Sequence, residues 1–166
     1  MIRLLLVLFT LVGFLIFSYP FLVAQVSLGK KDSHARDLET IKMVRSVFGL
    51  LLKLAGVTVT VKGAENIPED KAVLYVGNHR SYFDILAGYT TVPTLLGFVA
   101  KKEMEKIPLL NTWMVNANCL FLDRKNIKEG LKTILQGIEK VKNGVSIWIF
   151  PEGTRNPNED ITELLP

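Results

Sequence analysis

The sequence predicts an α/β domain, a mixed sheet covered by helices, preceded by an N-terminal membrane anchor and an amphipathic helix. Three observations predict it. From residue 57 onward, strand-like runs alternate with helix-like ones, as in a sheet whose strands are joined through helices. Ahead of them, residues 2–26 form an apolar run with a single charge, Arg3. Between the two, apolar residues recur at helical spacing over 38–55.

The apolar run comes first in the chain. A bilayer span needs ~20 apolar residues, whereas a secretory signal has an apolar region of about 7–15 residues and a small-residue cleavage site. This run is longer and no clear A-x-A follows, so residues 1–28 are expected to be a retained anchor. Tyr19-Pro20 offers the alternative of a kinked, interfacial or re-entrant helix. Charge supports membrane contact. Residues 1–61 hold seven Lys/Arg against three Asp/Glu, while residues 62–166 hold thirteen of each. Lys30, Lys31, Arg36, Lys42 and Arg45 all follow the apolar run, which by the positive-inside tendency leaves the C-terminal part in the cytoplasm. A neutral remainder with no basic helix and no aromatic-basic strand motif argues against nucleic acid. Cys119 is the sole cysteine, so there is neither a disulfide framework nor a Cys-based zinc site, and a reducing compartment fits.

Residues 29–56 form the amphipathic, membrane-proximal unit. Leu38, Ile41, Val44, Val47, Phe48, Leu51, Leu52 and Ala55 share one side; Lys42, Arg45, Ser46 and Lys53 share the other. Such a helix lies on a membrane surface or covers a sheet; periodicity alone permits both.

Residues 57–166 hold the α/β pattern. Strands are expected at 57–61 ("VTVTV", period two), 72–77, 95–100, 119–123 and 145–150. A helix should start near Tyr82, shorter pieces around 103–116 are broken by Pro108, and a long helix spans 126–143. That last helix starts on a capping-box-like Asn126 and Glu129. Its Ile127, Leu131, Ile134, Leu135, Ile138 and Val141 are expected to face inward.

Two stretches ask for chemistry. In "NHRSYFD", Ser81 and Asp84 have the spacing of a helix start. That accounts for both of them and leaves His79, at a strand end, without a purpose. A strand end in an α/β sheet is where ligand crevices form. With His79 in the turn and Asp84 in the first helical turn, the imidazole can fold back onto the carboxylate. The aspartate would then fix its tautomer and stabilise the imidazolium formed on proton uptake, which makes a general base. The second stretch, "FPEGTR" from Phe150, also ends a strand. Pro151 stops the strand, Gly153 permits close approach of a ligand, and Glu152 and Arg155 bring a carboxylate and a guanidinium suited to phosphate.

Together the motifs resemble those of the glycerolipid acyltransferase family, specifically the bacterial 1-acyl-glycerol-3-phosphate (lysophosphatidate) acyltransferases. N-H-x-x-x-x-D is met by Asn78, His79 and Asp84, and F-P-E-G-T-R at every position from Phe150 to Arg155. "NCLFLDR" is similar to a further motif, with Phe121, Asp123 and Arg124 in register and Asn118 where the family generally has glycine. "AKKE", with Lys101, also looks like a family stretch. The resemblance covers residues 57–166 and implies a glycerolipid acyltransferase-like fold. It implies transfer of an acyl group from acyl-CoA or acyl-carrier protein to the sn-2 hydroxyl of lysophosphatidate, giving phosphatidic acid. His79 would be the base and Asp84 its orienting partner. Arg124, Glu152, Gly153, Thr154 and Arg155 would hold or shape the acceptor phosphate, with Asn78, Lys101, Phe121 and Asp123 in support. Backbone N–H groups or an arginine would stabilise the oxyanion. No metal or cofactor is implied, and Ser81 and Ser146 lie in no G-x-S-x-G elbow. The implied partners are the thioester donor, lysophosphatidate and the lipid bilayer, and the implied location is the bacterial cytoplasmic membrane, with the catalytic domain facing the cytoplasm. The same chemistry on another glycerolipid or lysolipid acceptor, or an inactive lipid-binding fragment, are the alternatives. The family's proline-containing fourth motif is absent, and "NPNEDITELLP" supplies no clear strand; the 57–166 domain is accordingly expected to be truncated at its C-terminal end.

Overall fold

A computed structural model describes residues 1–157; the end segment from 158 on, in which no strand is expected, lies outside the described residues. The chain runs α1 (Ile2–Phe17), α2 (Tyr19–Lys31), α3 (Ser33–Ala55), β1 (Leu74–Val76), α4 (Phe83–Thr91), β2 (Leu96–Lys101), α5 (Leu110–Asn116), β3 (Leu120–Leu122), α6 (Ile127–Lys142) and β4 (Ser146–Ile149). Two 3₁₀ turns, Ala64–Asn66 and Lys102–Lys106, lie between.

The strands order as β1-β4-β2-β3, and all three pairings are parallel. This corrects the expectation of a mixed sheet. Each described strand after β1 is reached through a helix (α4, α5, then α6), and a helical crossover returns the chain in its original direction. The expected strand at 57–61 is also absent. Its residues follow the left-handed C-cap Gly56 and stay outside the sheet, with Val59 and Val61 exposed. Period two makes a segment comfortable when extended, but a ladder needs a neighbour.

One face of the sheet carries the core. Tyr75 stacks on Trp148 at 5.3 Å and Phe98 on Trp148 at 5.6 Å. Above them Tyr89 of α4 meets Phe98 at 4.9 Å and Phe48 of α3 at 5.5 Å. α4 comes this close because Gly88 has no β-carbon to strike Phe98. Buried side chains such as Leu96, Phe98, Val44 and Ile41 each contribute about 1.5–3 kcal/mol relative to exposure. Burial also raises the pKa of the Cys119 thiol, which contacts the Tyr89 hydroxyl, so this cysteine is held away from the reactive thiolate form.

α3 packs against α1 and α2 as well as α4. Its Arg45, grouped in the sequence with the basic residues beside the membrane, turns inward. Its guanidinium donates to the carbonyls of Tyr89, in the last turn of α4, and of Val92, Pro93 and Thr94 just beyond it, a helix end where carbonyls lack partners within the helix. Arg36 likewise pairs with Asp37 at 2.6 Å.

Among the described residues no single helix is long and apolar enough to cross a membrane. α1 and α2 share the apolar run and are bent by 52° at the break between them. Pro20 lies in the first turn of α2, and a tertiary contact holds the bend: Trp113 Nε1 donates to Ser18 Oγ at 3.0 Å, with Phe14 and Phe21 against the indole.

α6 covers the opposite face and departs most from expectation. Asn126 caps it, accepting from the N–H groups of Lys128 and Glu129; Glu129 turns instead to Lys132. The side toward the sheet is the small-residue side, with Gly130 and Thr133 buried and Gly137 near Leu120. Ile127, Leu131, Ile134, Leu135 and Ile138 remain exposed. Close packing on β3 selects small residues, and the apolar stripe is displaced sideways, where it flanks a groove.

Asn118 shows what replaces the glycine usual at its position. It adopts φ 61°, a region open to glycine and, among other residues, best tolerated by Asn and Asp. Its side chain, almost fully buried, donates to Asp37 Oδ2 at 2.8 Å and accepts from Lys140 Nζ. Burial lowers the Lys140 pKa, and Asp37 opposes that shift. The residue thus ties α3 to α6 across the end of the sheet. Asn118→Gly keeps the backbone and loses both bonds; by urea unfolding it should lose about 1–3 kcal/mol. Asn118→Leu should lose more, since it adds the left-handed strain.

Candidate active site

The topology brings the two motifs together. β4 inserts beside β1, with Val76 opposite Ile149, so the segments leaving both strands emerge side by side. Gly77 N–H donates to Ile149 O at 3.2 Å, and Asn156 N–H donates to His79 O at 2.7 Å. Glu152 Oε1 accepts from the His79 N–H at 3.4 Å.

Asp84 fills both roles open to it. Its Oδ2 accepts from the backbone N–H groups of Arg80 at 2.7 Å and Ser81 at 2.8 Å, and meets His79 Nδ1 at 2.8 Å. Ser81 Oγ takes the Phe83 N–H. One carboxylate thus folds the turn and aims the imidazole. With Asp84 at Nδ1, that nitrogen carries the proton and Nε2 is left as the acceptor. The ring is fixed on its other side by Phe150, stacked at 4.2 Å. Its side chain is 17% exposed, open enough to meet a substrate hydroxyl.

Arg124 arrives from β3. Its guanidinium lies against Gly153, where any β-carbon would come within 2.5 Å of Nη1. Gly153 has φ 65°, so the backbone conformation favours glycine there, and a larger residue would also push the Arg124 guanidinium aside. Arg155 places its Cζ 4.1 Å from the Tyr82 ring centroid. Thr154 follows Gly153 on the exposed side of the turn, and Lys101 ends β2 on the same rim. Asp123 serves its own turn, taking the N–H groups of Lys125 and Asn126, while the Phe121 carbonyl takes the Thr133 hydroxyl. Asn78 sits between Gly77 and His79 at the junction. Among the described residues no group of three His, Cys, Asp or Glu side chains could hold a metal ion.

From Arg124, Glu152 and Gly153 a largely apolar groove of about 810 Å³ runs between α6 and the sheet, past Leu122, Ile134 and Ile138. Sequence reasoning missed this groove and the parts played by Tyr82, Phe150 and Asn156. An aromatic in the middle of the His79–Asp84 loop was a signal for Tyr82, and Phe150 opens the F-P-E-G-T-R string without its stacking on His79 being readable there; nothing local marked Asn156.

A parallel α/β sheet with a His–Asp pair and an F-P-E-G-T-R turn on adjacent strand ends defines a domain of the acyltransferase class. The acyltransferase family model matches residues 58–166, and the chain belongs to that family. It is 34% identical over 118 residues to a 1-acyl-sn-glycerol-3-phosphate acyltransferase of Borreliella burgdorferi, covering 71% of this chain and 47% of that one. It is 33% identical over 121 residues to the Saccharomyces cerevisiae protein of the same name, covering 72% and 40%. The crystal structure of the 1-acyl-sn-glycerophosphate (LPA) acyltransferase PlsC from Thermotoga maritima superposes with a TM-score of 0.77 at 30% identity, covering 98% of this chain and 65% of that one. The chain therefore spans less than half the length of the two curated relatives.

Proposed function

We propose that this chain transfers an acyl group from an acyl thioester, acyl-CoA or acyl-carrier protein, to the sn-2 hydroxyl of 1-acyl-glycerol 3-phosphate, forming phosphatidic acid. The observation that carries the reading is the 2.8 Å contact of His79 Nδ1 with Asp84 Oδ2, beside the turn that bears Glu152 and Arg155. His79 Nε2 takes the hydroxyl proton as the oxygen attacks the thioester carbon. The tetrahedral oxyanion collapses, the C–S bond breaks, and the leaving thiolate takes the proton back from the imidazolium. Arg124 and Arg155 hold the acceptor phosphate, with Glu152, Gly153 and Thr154 shaping that site and Asn78, Lys101, Phe121 and Asp123 supporting it. The apolar groove suits an acyl chain.

Membrane contact belongs to the same proposal, with residues 1–28 as the lipid-embedded part, 29–56 beside it, and the 57–166 domain on the cytoplasmic side. α1 has 16 residues, about 24 Å at 1.5 Å per residue, short of the ~30 Å hydrocarbon core. Its Ile2, Leu5, Phe9, Ile16 and Phe17 are exposed. A bent apolar pair of this kind enters one leaflet, where a lipid acceptor resides.

Membranes carrying the chain, given lysophosphatidate and each labelled thioester in turn, should form labelled phosphatidic acid with at least one donor. Label appearing only with a different acceptor, or with none, would overturn the reading. Arg124→Ala and Arg155→Ala should each mainly raise the acceptor KM, and Lys should restore only part, because an ammonium lacks the planar fork. Unchanged lysophosphatidate kinetics in both variants would remove them from the site.

A further inference from the structure

We propose that Tyr82 is a positioning residue for an anionic acceptor: its ring holds the Arg155 guanidinium over its face, so that N–H donors are left for a phosphate. The inference rests on the reading above and adds a residue to it. Tyr82 is 69% exposed, so its ring is not a core side chain. It sits at the N-cap of α4 in helical conformation, φ −61° and ψ −25°, with no side-chain capping bond. Its backbone is nonetheless held. Asp84 ties the N–H groups of Arg80 and Ser81 before it, and Ser81 Oγ ties that of Phe83 after it. The ring is thus an exposed platform on a fixed base.

Arg155 lies over that platform with Cζ 4.1 Å from the ring centroid. The next residue is anchored through Asn156 N–H to His79 O, so both partners hang from the turn that carries the base. A guanidinium has five N–H donors, and a contact of its charge with a ring face takes up none of the acceptors a phosphate would offer them. The contact orders a long side chain before the acceptor arrives, which lowers the entropy lost on binding. An uncharged acceptor gains nothing from it, so the pair favours lysophosphatidate over a monoacylglycerol.

The test compares the unaltered chain with Tyr82→Leu, Tyr82→Phe, Arg155→Ala and Tyr82→Leu/Arg155→Ala in membranes. Equilibrium binding of lysophosphatidate and of monoacylglycerol is measured with no donor present, and turnover with donor added. An exposed cation–π contact is worth about a two- to fivefold change in affinity. Tyr82→Leu should weaken lysophosphatidate binding by that factor and raise its KM alike, with kcat and monoacylglycerol binding unchanged. Tyr82→Phe, which keeps the π face, should bind as the unaltered chain does. The double variant should match Arg155→Ala alone. Unchanged lysophosphatidate binding in Tyr82→Leu, or a full Tyr82 effect persisting without Arg155, would overturn the proposal. Lysophosphatidate that binds in this pattern but is never acylated would overturn the reaction and leave the contact standing. No lysophosphatidate binding by the unaltered chain would overturn both.

Discussion

His79→Ala should abolish acyl transfer while leaving the chain folded. The substrate hydroxyl is too weak an acid to ionise unaided at neutral pH, and a positioned general base is worth about 10²–10⁴ in rate. In the proposed mechanism that base is the imidazole Nε2, since Asp84 occupies Nδ1 at 2.8 Å. Asp84→Asn should cost less. An amide oxygen in the place of Oδ2 can still accept from Arg80 and Ser81 N–H and from Nδ1–H; only the charge that stabilises the imidazolium is lost. Asp84→Ala removes the acceptor that folds the turn, so it should lose both rate and stability. Steady-state rates beside unfolding curves distinguish these cases. A His79→Ala variant with most of the original rate would end the mechanism.

Gly97→Ala is expected to have the largest effect on stability. Gly97 lies in β2 opposite Ile147 of β4, and a β-carbon there would overlap the backbone carbonyl of Asn118. Overpacking of a core costs typically about 1–3 kcal/mol. Here the obstacle is main chain on a residue pinned by Asp37 and Lys140, so no rotamer change relieves it, and the upper end of that range or outright failure to fold is expected. Gly49 is the control. It lies within α3, and no neighbouring atom comes within 4 Å of where a β-carbon would sit, so Gly49→Ala should gain about 0.5–1 kcal/mol from helix propensity. Urea midpoints in detergent test the pair; equal midpoints would show that β2 and Asn118 do not pack as described.

What depends on near neighbours was legible in the residues themselves. Helical spacing located α3 and α6, apolar runs located β1 to β4, and Asn126 marked the start of α6, because capping and periodicity act within a turn or two of chain. The candidate site's local parts were legible for the same reason: His79 and Asp84, in contact at 2.8 Å, lie five residues apart, and the turn from Phe150 is one contiguous string. What depends on distant partners was settled only by the packed fold. It placed β4 between β1 and β2, which brings Glu152 to the His79 N–H and Arg124 to Gly153. It turned Arg45 inward to four carbonyls near the end of α4, fixed the bend at Ser18 with Trp113, and left 57–61 without a strand partner. It also set α6 down on its glycines rather than on its isoleucines. A local pattern says that a surface is apolar or a segment extended; the identity of the group opposite is fixed only when strands and helices separated by tens of residues compete for the same space.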